Sequence, residues 1–302
     1  MSILPVAREN FPMSKATAAG MIPMQPLCDN YEIFYCEDVV YAERAEMTLY
    51  LQILGPIGAG EALPLILYIP GSAFHRQNVK ERVPQLACLA QRGFVVASLR
   101  YRGSEDAPFP AQTLDAKAGI RFMKRHAAEY GIDPDKIVTM GDSSGGHTAM
   151  MAAFTCGIPA LEEDDAAFDS SVRGVIDLYG PVNFTTMNEQ LSSQNHWLPD
   201  SPEGMELGGV NVLEHPDLAR AAAVTTYVAD GREIPPILMF HGTNDELVPF
   251  AQSCELCDAL TAAGRNVTFY QVLGAHHGGP EFWTTQVLDL VEAFIRRAVE
   301  RV

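Results

Sequence analysis

The chain is predicted to adopt an α/β fold with a mostly parallel central sheet and helices on both faces. Short apolar runs bounded by Gly and Pro have the pattern of strands that are buried on both faces. From about residue 63 to the end, these runs alternate with amphipathic helical segments, as in a parallel sheet with crossover helices. The 302 residues are 47% hydrophobic and 20% charged, an ordinary globular composition that argues against disorder or a fibre.

Eight segments have strand patterns. Tyr31–Tyr41 and Ala45–Leu54 alternate between apolar and polar residues, and we expect them to be antiparallel strands at the N-terminal edge of the sheet. The remaining strands are predicted from continuous apolar runs: Leu63–Ile69, Gly93–Arg100, Lys136–Met140, Val172–Tyr179, Ile237–His241 and Val267–Val272.

Helical patterns lie between these runs. The longest covers Ala111–Tyr130 and is followed by Gly131, a natural C-cap residue. The other predicted helices are Val83–Gln91, Ser144–Cys156, Pro249–Ala263 and Glu281–Val302, the last with an apolar stripe along one face.

The chain is predicted to form a single domain over residues 31–302, preceded by an irregular arm at residues 1–30. One segment interrupts the alternation, because residues 183–230 are long, polar and rich in Pro and Gly. Loops of this length inside compact domains are usually functional. This one follows a strand at its carboxyl end, the edge where open α/β sheets bind ligands, so we expect a small cap over an active site.

The net charge of −17 excludes several classes of partner. A surface this acidic repels nucleic acid and disfavours anionic lipid. No run of about 18 apolar residues suggests a membrane span, and the N-terminus lacks a secretory signal, so we expect a cytoplasmic protein. Cys254 and Cys257 form a C-x-x-C, but we interpret them with Leu260 as packed core residues of a helix rather than as a metal site. Homo-oligomer formation stays open.

The strongest chemical signal is Gly141-Asp142-Ser143-Ser144-Gly145, which matches G-x-S-x-G. A predicted strand precedes it and a predicted helix follows it, which is the context of a nucleophile elbow. Small residues are needed there because the turn is sharp. Ser143 is therefore the candidate nucleophile, and the backbone N–H of Ser144 at the helix N-terminus is a candidate oxyanion donor.

A serine nucleophile needs a base, and the base needs an orienting acid, in the chain order Ser, Asp or Glu, His. Asp245 lies in the loop after the strand Ile237–His241 and is the candidate acid, with Glu246 as its main rival. The candidate bases are His276 and His277, which lie together in a Gly-rich loop. Spacing alone does not choose between them.

These pieces resemble the esterase/lipase branch of the α/β-hydrolase family, and in particular the group related to bacterial feruloyl and acetyl-xylan esterases. The resemblance runs from about residue 45 to the end. It rests on the segment from SLRYRGSEDAPFPA through the GDSSGGH elbow, on HGTNDELVP and on GAHHGGPEFW. The last motif matches the group's G-A-x-H-G, which implies that His277 is the base.

The loop Pro70–His75 departs from this group, which usually has H-G-G-G or H-G-G-x-W there. By position, Ser72 and Ala73 would supply backbone N–H groups to the oxyanion. A Cβ at residue 72 would be strained if φ were positive there. One hypothesis is that the Ser72 hydroxyl adds a third donor, and the other is that the oxyanion hole is weaker than in the group.

The resemblance implies a serine carboxylesterase that acts on short acyl or aryl esters, including esters on sugars derived from plant cell walls. It implies no cofactor, no metal and a small-molecule ester as partner. Phe74, Trp197 and Leu198 are the candidate substrate-binding residues. Two alternatives stay open, an aryl-formamidase-like amide hydrolase with the same three residues and a non-catalytic binding protein of hydrolase-like fold.

Overall fold

Eight strands form one sheet in the part of the chain that the structure, a computed structural model, describes: residues 6–25, 31–45, 47–163, 167–228 and 232–300. They are β1 (Ile33–Arg44), β2 (Met47–Pro56), β3 (Leu63–Ile69), β4 (Val95–Leu99), β5 (Ile132–Asp142), β6 (Gly174–Leu178), β7 (Ile237–Gly242) and β8 (Val267–Val272). Their order across the sheet is β1-β2-β4-β3-β5-β6-β7-β8.

The sheet is mostly parallel, as predicted. β1 pairs with β2 and β2 with β4 in antiparallel fashion, and every other neighbouring pair is parallel. The antiparallel part lies at the N-terminal edge, also as predicted. Because parallel strands share one polarity, the loops after β3, β5, β6, β7 and β8 emerge at the same edge of the sheet.

The helices are α1 (Val83–Ala90), α2 (Ala111–Arg125), α3 (Ala127–Tyr130), α4 (Ser144–Phe154), α5 (Pro202–Glu206), α6 (Pro216–Ala222), α7 (Ala251–Ala262) and α8 (Thr285–Glu300). Two differ from the sequence prediction. The helix predicted over 111–130 breaks at His126, whose ψ of 20° ends α2 and starts α3. The last helix begins at Thr285, because Pro280–Trp283 forms a 3-10 turn first. Gly131 caps α3 with φ 66°, as predicted.

The core lies on both faces of the sheet, and β3 shows how the sequence builds it. Alternate residues of a strand point to opposite faces. Ile66 and Tyr68 belong to the cluster that includes α1 and α8, whereas Leu65, Leu67 and Ile69 belong to the cluster that includes α2 and α4. All five are buried, which is why the strand reads as a continuous apolar run.

The prediction for the C-x-x-C was wrong in detail. Cys254 and Cys257 lie on α7 as free thiols, and both are only half-buried. Leu260 is buried, as predicted, and Leu256 is buried beside it in place of the cysteines. A 3.6-residue helical repeat brings residues four apart to one face, so a stripe through 256 and 260 leaves the two cysteines at its margins.

The arm and the insertion have different character. Residues 6–25 are exposed and contain one 3-10 turn, Arg8–Asn10. The insertion lies between β6 and β7 and contains α5, α6 and three 3-10 turns. Residues 1–5 and 26–30 of the predicted arm and 229–230 of the predicted insertion lie outside the described residues. None of the helices in the described ranges has the length and apolarity needed to cross a lipid bilayer.

A buried carboxyl group lies where α4 contacts β6. Asp177 on β6 is fully buried, and its Oδ1 accepts a hydrogen bond from the Gly180 N–H at 3.0 Å. Its Oδ2 has no partner in the described chain. Burial, with a smaller contribution from the charge of Asp142, raises the pKa of Asp177 to about 7.

The raised pKa predicts how stability depends on pH. The unfolded chain loses this proton near pH 4, whereas the folded chain keeps it to about pH 7, so Asp177 lowers stability progressively as pH rises between these values. We expect Asp177→Asn, an isostere of the protonated acid, to match the wild type within about 0.5 kcal/mol near pH 4. We expect it to be more stable at pH 8 by about 2 to 4 kcal/mol. Urea unfolding at both pH values measures this, and an equal difference at the two would contradict the assignment.

Candidate active site

Ser143 lies in the turn between β5 and α4, at the edge where the parallel strands end. Its backbone has φ 53° and ψ −128°, a conformation that L-residues rarely adopt. Its N–H donates to the Leu178 carbonyl at the end of β6, at 2.8 Å. The sequence context of strand, turn and helix is therefore realised as a strained turn with the serine at its tip.

The glycines beside Ser143 are required by close backbone contacts. A Cβ on Gly145 would lie 2.0 Å from the Ile69 carbonyl oxygen, and a Cβ on Gly141 would lie 2.2 Å from the Gly145 carbonyl oxygen. A Cβ on Gly71, in the loop after β3, would lie 2.4 Å from the Asp142 carbonyl oxygen. The turn and the loop after β3 thus touch through main-chain atoms, with no room for a side chain between them.

The predicted base and acid lie in line with Ser143. His277 Nε2 lies 2.9 Å from Ser143 Oγ, and His277 Nδ1 lies 2.8 Å from Asp245 Oδ2. The Asp245 side chain is fully buried, while His277 keeps 14% of its side chain exposed at the edge of the cavity. The edge of the Tyr179 ring packs against the imidazole, with centroids 4.9 Å apart. This geometry lets His277 accept the proton of Ser143 while Asp245 fixes its tautomer.

The two rival residues lie elsewhere and bond to each other. His276 Nδ1 lies 2.9 Å from Glu246 Oε2, and both side chains are more than half exposed. The structure therefore brings Asp245 and His277 to Ser143, and it leaves Glu246 and His276 as a surface pair.

Asp245 is held by four donors. Its Oδ1 accepts the N–H groups of Leu247 and Val248, each at 2.9 Å, and its Oδ2 accepts from His277 and from a second histidine, His241, at 3.1 Å. Burial alone would raise the pKa of Asp245, but the hydrogen bonds from His241 and His277 outweigh it and lower the pKa to about 2. The carboxylate is therefore ionised throughout the neutral range.

Sequence reasoning missed the role of His241, which ends β7 four residues before the acid. Its Nε2 faces two acceptors, Asp245 Oδ2 and the Val248 carbonyl oxygen at 2.9 Å, so this nitrogen carries a proton. Its Nδ1 lies 2.7 Å from Ser253 Oγ. The available signal in the sequence was a histidine at the end of the strand that precedes the loop of Asp245.

Two of the three predicted oxyanion donors are free. Among the described residues, no acceptor faces the N–H of Ala73 or the N–H of Ser144, the first residue of α4. The Ser72 N–H differs, because it donates to Ser144 Oγ at 2.9 Å. The structure thus removes Ser72 from the set of free donors, since the hydroxyl after the nucleophile occupies it.

The Ser72 hydroxyl is not a third donor either. It donates to the His75 carbonyl oxygen at 2.5 Å within its own loop. The left-handed residues of the loop are Ala73 and Phe74, with φ 54° and 62°, and Ser72 is not among them, so the strain expected at residue 72 lies one and two residues later.

The loop is anchored by residues that sequence reasoning did not identify. The Gly71 N–H donates to Asp142 Oδ1 at 2.9 Å, and the Tyr101 hydroxyl donates to the Pro70 carbonyl oxygen at 2.9 Å. Asp142 is the variable residue of the G-x-S-x-G motif, so its side chain ties the nucleophile turn to the oxyanion loop. These contacts fix the loop at Pro70.

A cavity of about 270 Å³ opens over Ser143. Residues of the cap-like insertion form part of its wall, namely Gln194, His196, Pro202 and Glu203. Phe74 also lines it, as predicted, and packs edge-on against His147 and Phe184. The buried pair His196–Glu203, with Nδ1 and Oε2 2.8 Å apart, is the main polar feature of this wall.

Trp197 and Leu198 do not line the cavity, so their prediction as substrate-binding residues was wrong. The Trp197 ring packs with the cluster around Phe184, and its Nε1 donates to the Thr185 carbonyl oxygen at 3.1 Å. Leu198 is 43% exposed. The side chain that reaches the cavity is that of the preceding residue, His196. Within the described ranges, no cluster of His, Cys, Asp or Glu could hold a metal ion.

The fold of the sheet and helices agrees with what comparison with known proteins shows. The sequence profile of the BD-FAE family matches residues 51–260, more than half of the chain. The chain belongs to the BD-FAE family. The matched segment of this BD-FAE protein runs from within β2 into α7, so it contains Ser143 and Asp245, whereas His277 lies beyond it.

Relatives of the BD-FAE protein are esterases. The esterase LipQ of Mycobacterium tuberculosis is 29% identical over 227 residues, which are 73% of this chain and 51% of LipQ. The chain spans about half the length of the curated relatives it matches. Among solved structures, a truncated carbohydrate esterase from gut microbiota is 31% identical, with a TM-score of 0.80 over 91% of this chain and 99% of that one.

A third relative is the esterase Est2 of the Planctomycetes species Thermogutta terrifontis, solved with propionate. It is 25% identical, with a TM-score of 0.69 over 90% of this chain and 96% of Est2. These likenesses confirm that the BD-FAE protein has the α/β-hydrolase fold of esterases.

The contact at Gly145 predicts a severe effect of a single methyl group. We expect Gly145→Ala to lower the free energy of unfolding by more than about 3 kcal/mol, because the Cβ would meet the Ile69 carbonyl. The control is Gly264→Ala, which is left-handed but has nothing near its Cβ and should cost about 1 kcal/mol. Urea unfolding measures both, and equal losses would show that the contact at Gly145 relaxes.

The contact at His241 predicts a loss of turnover. We expect His241→Leu to lower kcat about 10- to 100-fold with KM unchanged, because Asp245 loses one donor to a charged group. His241→Gln keeps an N–H near the same position and should retain most of the activity. Steady-state kinetics on a soluble ester tests this. Equal losses in the two variants would indicate that His241 acts only through packing.

Proposed function

We propose that this protein is a serine carboxylesterase, with Ser143 as nucleophile, His277 as general base and Asp245 as the acid that orients His277. The observation that carries the proposal is the line of hydrogen bonds from Ser143 Oγ through His277 to a buried, ionised Asp245. The esterase relatives support the class of reaction.

The steps follow from the geometry. His277 Nε2 takes the proton of Ser143 as its oxygen attacks the ester carbonyl. The oxyanion that forms accepts hydrogen bonds from the N–H groups of Ala73 and Ser144. The imidazolium then gives its proton to the alcohol oxygen as the carbon–oxygen bond breaks. Water, deprotonated by His277, attacks the acyl group and releases the acid and free Ser143.

The cavity supports a small acyl group. A volume of about 270 Å³ lies at the lower end of the range for ligand pockets. The wall that carries His196 and Glu203 is polar, which favours a hydroxylated alcohol over a lipid. We therefore propose short acyl or aryl esters as substrates, including esters on plant-cell-wall-derived sugars. The relative from gut microbiota is described as a carbohydrate esterase, and Est2 was solved with propionate and butyrate.

Hydrolysis of 4-nitrophenyl acetate, butyrate and octanoate tests the proposal. We expect acetate and butyrate to be hydrolysed faster than octanoate, because the cavity is small. Ser143→Ala and Asp245→Asn should lower kcat by at least about a thousandfold, because the nucleophile, the base and the acid act as one unit.

The rival residues give matched controls. Glu246→Gln and His276→Gln remove the same chemical groups from the neighbouring surface pair, and both should keep kcat within about twofold, as is usual for substitutions away from a site. Activity that survives in Ser143→Ala, or that is lost in either control, would contradict the assignment. Faster cleavage of a matching anilide than of the ester would favour the amide hydrolase.

A further inference from the structure

The wall of the cavity near His277 carries a guanidinium group. Arg82 precedes α1 and lines the cavity with Tyr179 and Gly278. It lies within electrostatic range of Tyr179 and of Asp142. The Tyr179 ring packs on the His277 imidazole, and the Tyr179 hydroxyl lies 3.6 Å from the Cβ position of Gly278. Arg82 thus borders the cavity within electrostatic range of the ring that packs on the base.

The charged side chains that line the cavity differ in the hydrogen bonds that they make. The Asp142 carboxylate accepts from the Tyr68 hydroxyl at 2.5 Å and from the Gly71 N–H at 2.9 Å, and Glu203 pairs with His196. Arg82 is different, because its one ion-pair partner in the described part of the chain is Glu81, at 3.6 Å. This separation is too long for a hydrogen bond.

A guanidinium carries five N–H donors in a planar fork that matches a carboxylate. The Asp142 and Glu203 carboxylates already have donors, whereas no side-chain hydrogen bond of Arg82 is found among the described residues. Arg82 keeps its charge at every accessible pH. The cavity thus offers a fixed positive charge with unused donors beside the base.

The overall charge of −17 does not oppose an anion at this point. Surface charges farther away than about 8 Å are screened at physiological ionic strength. A group that contacts Arg82 therefore responds mainly to Arg82 and to its immediate neighbours.

We infer that Arg82 binds a carboxylate on the alcohol part of the substrate, so that the preferred esters are acyl esters of hydroxy acids. The inference rests on the proposed ester hydrolysis. The alcohol part is assigned because His277 must reach the leaving oxygen to protonate it. Arg82 lies within electrostatic range of the ring that packs on His277, whereas the free oxyanion donors belong to Ala73 and Ser144.

Two acetyl esters that differ in charge test the inference. They are 4-acetoxybenzoate, which has a carboxylate on the alcohol part, and 4-acetoxybenzamide, which is neutral and of nearly the same shape. Arg82→Gln should lower kcat/KM for the benzoate at least about tenfold, mainly through KM, because a charge-assisted bidentate pair is lost. The benzamide should change by less than about twofold, since a neutral amide gains little from the charge. Arg82→Lys, which keeps the charge without the fork, should fall between.

A control variant and an inhibition measurement on the wild type check that the effect belongs to Arg82. Arg220→Gln makes the same charge change at a side chain that is 76% exposed and lies 3.7 Å from Asp217, and it should change kcat/KM for neither substrate. Inhibition of wild-type 4-nitrophenyl acetate hydrolysis by 4-hydroxybenzoate should exceed that by 4-hydroxybenzamide by about fivefold or more, and it needs no variant.

The possible outcomes distinguish a failure of the inference about Arg82 from a failure of the proposed ester hydrolysis. An unchanged benzoate-to-benzamide ratio in Arg82→Gln overturns the inference. So does an equal loss on both substrates, which would mean that Arg82 supports Asp142 and the turn. In both cases Ser143-dependent hydrolysis survives in the wild type, so the proposed function stands. If no ester is hydrolysed by the wild type, or Ser143→Ala retains the activity, then the proposed function fails and the inference fails with it.

Discussion

The contact on which the site depends is the one between the turn at Ser143 and the end of β3. Gly145 lies so close to the Ile69 carbonyl that a Cβ would clash, and Gly71 lies equally close to the Asp142 carbonyl. Main chain packed directly on main chain leaves little freedom for either segment. The strained φ of Ser143 is held by this contact, because relaxing the turn would separate two well-packed backbones. The free N–H groups of Ala73 and Ser144 come from these same two segments.

The proposed acid shows how the same edge of the sheet immobilises a side chain without strain. Four donors surround Asp245, two from the main chain of its own loop and two from histidines. Of these four donors, His277 is the one that also contacts Ser143. The orientation of the proposed base is thereby determined by the loop after β7, and the imidazole needs no support from solvent.

Local motifs in the sequence predicted the mostly parallel sheet, the turn at Ser143 and the loops that carry Asp245 and His277. They could do so because a strand, a sharp turn and a helix leave their pattern in consecutive residues. The choice between His276 and His277 is different, because adjacent residues of one loop have nearly the same spacing from Ser143 and Asp245, and it was the resemblance to the esterase group that indicated His277. The choice depends on Glu246 bonding one histidine and on Tyr179 packing against the other, and both are contacts between distant segments.

The errors have the same origin. Trp197 was expected in the cavity, but its ring packs with the cluster around Phe184 and its Nε1 donates to the Thr185 carbonyl oxygen. His196 lines the cavity instead. Ser72 was expected to donate to the oxyanion, but Ser144 Oγ accepts from it. In each case a hydrogen bond between segments far apart in sequence, or across a short irregular loop, redirected a group whose residue type had suggested another role.

Two aspartates beneath the site show that the count of donors, more than burial, sets the charge at this edge. Asp245 and Asp177 are both buried at the carboxyl ends of neighbouring strands. Asp245 has four donors and a pKa of about 2, whereas Asp177 has one donor and a pKa of about 7. A single donor leaves Asp177 neutral up to about pH 7, whereas four donors keep Asp245 ionised beside His277.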